Sequence, residues 1–241
     1  MLTFTYEEVL YLLDQIGLTI AFGQSNVDKQ TELLQVGKKR LHERGLDKED
    51  SMLQTVTQPT AVLHATRTED NKSEENIWFF YTPGQIVRMQ QANENRYQLT
   101  AVSEVTAVLE QIQQFLPLQP APSNLIYHIT VDEEEFENLR DLASEWAEVP
   151  SLATLEADGL DLIGAKDLFD SAVAPQWRGI IDFMRVDGKE IVQKQTVRAL
   201  QEQEMAWLVR PYGPDNRKVL IKTAQAGELQ QAVFMGMVRC R

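Results

Sequence analysis

Residues 179–197 have the sequence GIIDFMRVDGKEIVQKQTV, in which two runs of apolar and β-branched residues flank Asp187-Gly188. An Asp-Gly pair between two such runs is a strong signal for the tight turn of an antiparallel hairpin. The segment therefore predicts one strand over Gly179–Val186 and a second over Lys189–Val197. Further strands are predicted downstream over Met205–Arg210 and Lys218–Thr223.

A similar series of strands is predicted in the first half of the chain. The runs Thr60–Thr66, Ile77–Tyr81, Gln85–Gln90 and Arg96–Thr100 are rich in β-branched and aromatic residues or lie between turn signals. An amphipathic helix follows each series. One begins at Ser103, and the other has an apolar side formed by Leu229, Ala232, Val233 and Met237.

Helices are also predicted before each series of strands. Thr5 and Glu8 form a T-x-x-E capping box that predicts the start of a first helix, and a second helix is expected over about 28–44. In the second half, Thr130 and Glu133 form a similar box. The helix after that box is expected to have an apolar side of Phe136, Leu139, Leu142, Ala143 and Trp146. A loop-rich stretch and a short helix over Lys166–Val173 are expected next.

The chain is thus predicted to have an α+β fold of two similar halves, each an antiparallel sheet with packed helices. The prolines Pro117, Pro120 and Pro122 form a stiff connector between them, which places the halves at residues 1–118 and 119–241. The closing units, Arg96–Leu116 and Arg217–Val238, resemble each other in their order of elements and apolar positions. We therefore expect an internal duplication with quasi-twofold related halves that pack as one compact unit.

The charge of the chain restricts its partners. The sequence has 36 acidic and 23 basic residues and a formal net charge of -13. Binding to nucleic acid needs concentrated Lys and Arg, and binding to anionic membrane surfaces needs basic patches. We therefore expect no nucleic-acid partner and no membrane insertion, and the charge disfavours anionic membrane surfaces. Instead, the charge favours solubility and a protein partner.

Cysteine content and hydropathy predict a cytoplasmic location. The single cysteine, Cys240, cannot form a disulfide within the chain, which suits a reducing compartment. It is expected to be an incidental thiol at a frayed end. Residues 1–13 contain Glu7 and Glu8 but no Lys or Arg, unlike the basic start of a signal peptide. No apolar run approaches the roughly 20 residues of a membrane span.

No pattern of residues predicts catalysis or cofactor binding. The three histidines, His42, His64 and His128, are far apart and are expected to be structural or surface residues rather than metal ligands. Phosphate-binding loops and nucleophile elbows are absent from the sequence. The acidic run Asp132–Glu135 is expected at a helix start, where the helix dipole favours negative charge. We therefore assign no catalytic, cofactor-binding or metal residues and expect no cofactor.

Four consecutive aromatic residues, Trp78-Phe79-Phe80-Tyr81, lie in a predicted strand. Because side chains alternate along a strand, both faces of this strand carry bulky apolar groups. One interpretation is a central strand that is covered on both sides. The other is a strand with one face open to a partner, since exposed apolar patches mark interaction sites.

The order of elements and two short segments resemble the EspG family of secretion-associated proteins. A first helix ends in Ile16-Gly17-Leu18, and a second ends in Leu41-His42-Glu43-Arg44-Gly45-Leu46, which is similar to an L-x-x-R-G-L segment that members often carry there. In architecture the resemblance spans most of the chain. This sequence is richer in Gln and poorer in Ala and Arg than the family pattern, and no binding residue is carried over.

The resemblance implies an α+β fold with quasi-twofold halves and a cytosolic chaperone that binds helical export substrates of the PE–PPE type in type VII secretion. On this interpretation, an apolar surface of the chain covers a helical client. Two alternatives stay open. One is an immunity or antitoxin-like protein whose acidic surface masks a basic partner. The other is an enzyme whose site is assembled from scattered residues.

Overall fold

The computed structural model describes residues 2–18, 27–46, 50–69, 72, 74–93, 96–142, 148–213 and 217–240, and these residues form an α+β fold. The strands are β1 Leu2–Thr5, β2 Ala61–Glu69, β3 Glu75–Thr82, β4 Gln85–Asn93, β5 Arg96–Val102, β6 His128–Asp132, β7 Trp177–Asp187, β8 Glu190–Glu202, β9 Met205–Tyr212 and β10 Lys218–Thr223. The helices are α1 Tyr6–Asp14, α2 Val27–Glu43, α3 Ser51–Thr57, α4 Val105–Phe115, α5 Glu133–Leu142, α6 Glu148–Ala157, α7 Leu162–Val173 and α8 Glu228–Arg239. The predicted fold class is confirmed.

All ten strands belong to one antiparallel sheet, with the order β1-β5-β4-β3-β2-β7-β8-β9-β10-β6. The halves therefore share one sheet, because β2 pairs with β7 from Ala61 opposite Arg185 to Glu69 opposite Trp177. Each half contributes five strands in the same pairing order. The internal duplication, the quasi-twofold relation and the division at residues 118 and 119 stay predictions.

Helices cover both faces of the sheet. Helices α4 and α8 pack on one face over a core that includes Leu63, Phe79 and Phe183. On the other face, α1, α2 and α3 cover the first half and α5, α6 and α7 cover the second. Alternation of side chains along each strand supplies both cores, as Val62 and Leu63 on β2 show.

Some elements of the structure differ from those predicted from the sequence. Thr130 lies within β6, opposite Leu220 of β10, so the predicted capping box with Glu133 is wrong. Helix α6 occupies part of the stretch predicted to be rich in loops. Its Pro150 stands in the first turn, where the missing N–H breaks no helical hydrogen bond. Strand β1 and helix α3 were not predicted, and Ala143 and Trp146 lie outside the described residues.

The segment Leu41–Leu46, which carried the family resemblance, is the C-terminal cap of α2. The Leu46 N–H donates to the Leu41 carbonyl at 3.1 Å, and the Gly45 N–H donates to the His42 carbonyl at 3.0 Å. Gly45 has a φ of 62°, a conformation that glycine adopts without steric cost. The segment therefore ends the helix through its own hydrogen bonds and the left-handed Gly45.

The same segment joins α2 to α1. Arg44 donates to both carboxylate oxygens of Glu8, at 2.8 and 2.9 Å, and Glu8 is buried. The Glu8 carboxylate also accepts a hydrogen bond from the Thr5 N–H at 2.7 Å, which confirms the predicted start of α1. Arg40 pairs with Glu7 at 2.8 Å. These ion pairs hold the two helices together at one end.

Cys240 is buried in the core, so the predicted exposed thiol at a frayed end is wrong. Helix α8 runs to Arg239, and the Cys240 Sγ lies 3.6 Å from the carbonyl oxygen of Phe183 on β7. Burial raises the pKa of this thiol, which keeps it protonated and unreactive.

None of the helices described above is long and apolar enough to span a membrane.

Candidate protein-binding surfaces

The aromatic run Trp78–Tyr81 is not an exposed surface. Strand β3 lies between β2 and β4, and all four side chains are at most 7% exposed. Trp78 and Phe80 face the cores under α1–α3, while Phe79 and Tyr81 face the core under α4 and α8. The interpretation as a covered central strand is confirmed, and the open-face alternative is wrong.

Exposed aliphatic residues lie on two neighbouring segments of the second half. Ile126, Leu162 and Ile163 are 67%, 58% and 64% exposed, respectively. Ile126 lies in the connection before β6, and the other two residues open helix α7. We call these three residues the aliphatic corner. Exposed apolar groups of this size that adjoin one another are typical of interaction sites.

Contacts behind the aliphatic corner bring its two segments together. A Cβ placed on Gly164 would stand 2.9 Å from the Tyr127 ring, so the ring packs directly on the helix backbone. Tyr127 also stacks on the buried Trp207, with ring centroids 6.1 Å apart. Because Ile126 precedes Tyr127 and Ile163 precedes Gly164, this contact brings together the backbones of the two segments that carry the exposed residues.

Helix α7 is tied down at both ends, which makes the corner rigid. The Asp161 carboxylate accepts from the Gly164 N–H at 2.8 Å and caps the first turn. At the other end, the Arg178 guanidinium donates to the carbonyl of Val173 at 3.2 Å, a favourable place for a positive charge. Rigid presentation lowers the entropy cost of binding a partner.

The rim of the aliphatic corner is acidic. Burial raises the pKa of Tyr127, and the negative charge of Asp161, which accepts a hydrogen bond from the phenol, raises it further. The pKa of Asp167 is also raised, first by burial and then by the nearby carboxylates of Asp170 and Asp161. Three acids therefore lie close enough to influence one another along this side of α7.

An open cleft of about 710 Å³ lies alongside α7 and continues the acidic rim. Its lining includes Asp167 and Asp170 from the helix, Glu202 at the end of β8 and Glu204 in the turn that follows. Four carboxylates in one cleft create a negative field that attracts a basic group of a partner. Among the described residues, no group of three His, Cys, Asp or Glu side chains could hold a metal ion.

A second exposed apolar surface lies on the other face of the sheet. Phe234, Met235 and Val238 of α8 are 47%, 40% and 51% exposed. Together with the exposed Gln231 they follow the i, i+3, i+4, i+7 spacing of one helix side. We call this side the α8 stripe. The opposite side of α8 is buried through Leu229, Val233 and Met237.

The histidines are not brought together. His42 and His128 are exposed, whereas His64 is buried in β2. The His64 ring stacks on Trp78, with centroids 3.6 Å apart, and its Nε2 is 2.6 Å from Asn76 Oδ1. Burial is the main cause that lowers the His64 pKa to about 4.

The other side of His64 is also polar. Asp182 lies opposite it on β7, and its carboxylate accepts from the Thr196 hydroxyl at 2.6 Å. Lys194 pairs with the same carboxylate at 3.0 Å. This polar row is a satisfied structural network where the halves meet. Sequence reasoning missed both the row and the aliphatic corner, because neither has a local motif.

The described residues define an α+β protein with a ten-stranded antiparallel sheet and with exposed apolar and acidic surfaces. No protein-family model matches the sequence, and no curated protein matches it. Among solved structures, the chain is similar to the type VII secretion system chaperone EspG5 of Mycobacterium tuberculosis, solved in complex with a PE25-PPE41 dimer. The TM-score is 0.62 at 13% sequence identity, and the match covers 98% of this chain and 94% of that chain.

The resemblance to the EspG family predicted from the sequence is thus confirmed for the fold. The two chains have nearly the same extent and architecture despite a low identity. At such an identity the likeness concerns the fold, and function has to be argued from the site itself.

Proposed function

We propose that this protein is a cytosolic secretion-associated chaperone or adaptor, and that the aliphatic corner is the centre of its client-binding surface. The observation that carries the proposal is the exposure of Ile126, Leu162 and Ile163 on a rigid frame. The likeness in fold to a type VII secretion chaperone supports the class. The role is binding rather than catalysis.

A helical client fits the shape and chemistry of this corner. Interfaces owe most of their energy to a few apolar anchors that are buried at the centre, and rim charges mainly tune the rate of association. Three exposed aliphatic side chains offer anchors for the apolar side of a client helix. The carboxylates of Asp161 and Asp167 then lie at the rim, where they select clients with polar or basic flanks.

The first prediction tests the corner with the PE25-PPE41 dimer as the probe. Replacing Ile126, Leu162 and Ile163 together by serine is expected to weaken binding by about 100-fold or more, since each buried aliphatic anchor contributes at least about 1 kcal/mol. Isothermal titration calorimetry measures the effect. The matched control replaces Phe234, Met235 and Val238 by serine on the opposite face and is expected to bind like the wild type.

Two results of this experiment would contradict the proposal. Binding of the probe that is equal in the corner variant and the wild type would place the client surface elsewhere. No binding of the probe to the wild-type chain would argue against clients of the PE–PPE type. Thermal unfolding of both variants shows whether either has lost its fold.

A second candidate function, masking of a basic partner, is favoured by the four carboxylates in the cleft beside α7. Salt separates it from the chaperone role. With the same probe, raising the salt concentration is expected to slow association while the complex persists, because apolar contacts carry the affinity. A loss of affinity of about a thousandfold would favour charge masking instead. Substituting Asp167, Asp170, Glu202 and Glu204 by their amides would then reproduce that loss at low salt.

A further inference from the structure

The α8 stripe is an exposed helix side that the proposed client surface does not use. It lies on the face of the sheet opposite helix α7, so a client on the aliphatic corner leaves it open. Its apolar members Phe234, Met235 and Val238 are spaced for contact with another helix.

The charges around the stripe differ from those of the whole chain. Although the net charge is -13, the charged residues of α8 are only Glu228, which pairs with Lys222, and Arg239. The neighbouring α4 is joined to α8 by a hydrogen bond of 2.6 Å from Gln230 to Gln113. Two acidic chains can therefore approach each other here without the repulsion that the acidic rim of α7 would cause.

We infer that the α8 stripe is a self-association surface, on which a second copy of this chain binds through its own α8. Two α8 helices that cross antiparallel about a twofold axis near Phe234 and Met235 bury the same apolar residues from both copies. In this antiparallel arrangement the positive N-terminal end of each helix dipole lies beside the negative C-terminal end of the other, which is favourable.

Charge complementarity across that twofold axis supports a second copy as the occupant. The antiparallel arrangement brings Arg239 of one copy to the level of Gln230 on the other, beside α4. There the exposed Glu110 lies one turn from Gln113. Neither Glu110 nor Arg239 has a salt-bridge partner among the described residues, so each is available to the other copy.

The stripe is small compared with stable interfaces, which bury about 800 Å² on each partner. The dimer is therefore weak and reversible, and forms where the local concentration of the chain is high. Sedimentation equilibrium of the full chain without client, over concentrations up to millimolar, measures the dissociation constant. Replacing Phe234, Met235 and Val238 by serine is expected to raise that constant about tenfold or more. The serine variant of the aliphatic corner leaves it unchanged.

Cross-linking tests the same surface without removing its apolar residues. Because Cys240 is buried, Met235→Cys introduces an exposed thiol close to the inferred axis. Mild oxidation is expected to produce a disulfide-linked dimer faster than it does for Leu162→Cys at the aliphatic corner.

Three outcomes would overturn the inference. These are a wild-type chain that stays monomeric at every concentration, an equally strong dimer in the stripe variant, and equal cross-linking of the two cysteine variants. Loss of PE25-PPE41 binding in the stripe variant, with no dimer in the wild type, would identify a client helix as the occupant. Sedimentation equilibrium is measured without a client. A chain that stays monomeric would therefore refute self-association but would not contradict the proposed chaperone function.

Discussion

Replacing Gly37 by alanine is expected to lower the free energy of unfolding by about 3 kcal/mol, although alanine is the better helix former. Gly37 lies on the side of α2 that touches α1. A Cβ at this position would stand 2.0 Å from the carbonyl oxygen of Glu7 and 2.6 Å from its carbonyl carbon. These atoms belong to backbone, so relief requires the two helices to separate.

The sign of the result distinguishes packing from helix propensity. In an exposed helix interior, Gly→Ala stabilises by about 1 kcal/mol, whereas here the steric term is larger. Separation of the helices would also lengthen the ion pairs of Arg40 with Glu7 and of Arg44 with Glu8. Urea denaturation measures the change. Gln35→Ala, at an exposed position of α2, is the control and should change stability by less than about 0.5 kcal/mol. A more stable Gly37→Ala variant would refute the close contact.

Lowering the pH from 7.5 to 4.5 is expected to cost the wild-type chain about 2.5 kcal/mol of stability through His64 alone. Burial favours the neutral imidazole and lowers its pKa in the folded state from 6.5 to about 4. In this window the unfolded chain binds a proton that the folded chain does not bind. The stabilisation is therefore complete above pH 6.5 and is lost as the pH falls towards 4.

A comparison with His64→Gln isolates this contribution, because glutamine retains a polar partner for Asn76 but does not titrate. The difference in unfolding free energy between pH 7.5 and pH 4.5 is expected to be about 2.5 kcal/mol smaller in the variant. His42→Gln, which removes an exposed histidine, should retain the wild-type difference. An identical pH dependence in wild type and His64→Gln would show that His64 is accessible to protons in the folded state.

The two apolar surfaces would let the protein bind a client and a second copy of itself at different places. The aliphatic corner lies on the helix layer of α5–α7, and the α8 stripe lies across the sheet from it. A client and a second copy of the chain therefore do not compete for the same residues. Self-association at high local concentration would present two client surfaces, which increases the effective concentration of binding sites.

Most individual elements were predictable because their signals are local. The Asp187-Gly188 turn and the runs on either side of it specify β7 and β8, and the apolar run Ile77–Tyr81 specifies a strand, whose burial on both faces only the structure decided. The Leu41–Leu46 segment and the Thr5–Glu8 box are helix caps, whose hydrogen bonds close within six residues. Of these features, the Leu41–Leu46 segment also carried the resemblance to the EspG family.

Where a local signal competed with long-range pairing, pairing prevailed. Thr130 and Glu133 have the spacing of a capping box, yet Thr130 lies in β6 because that strand gains a full ladder with β10. Cys240 stands next to the end of the chain, yet the direction of α8 buries it against Phe183. In both cases, contacts with residues about 60 to 90 positions away outweigh the local preference.

The sequence by itself determined the fold class, the order of most elements and an acidic chain suited to protein partners. Only the tertiary structure decided that the halves share one sheet through β2 and β7, and which apolar residues stay exposed. Periodicity shows that a residue is apolar, but burial depends on which elements pack over it. Ile126, Leu162 and Ile163 stay exposed because no described element packs over them.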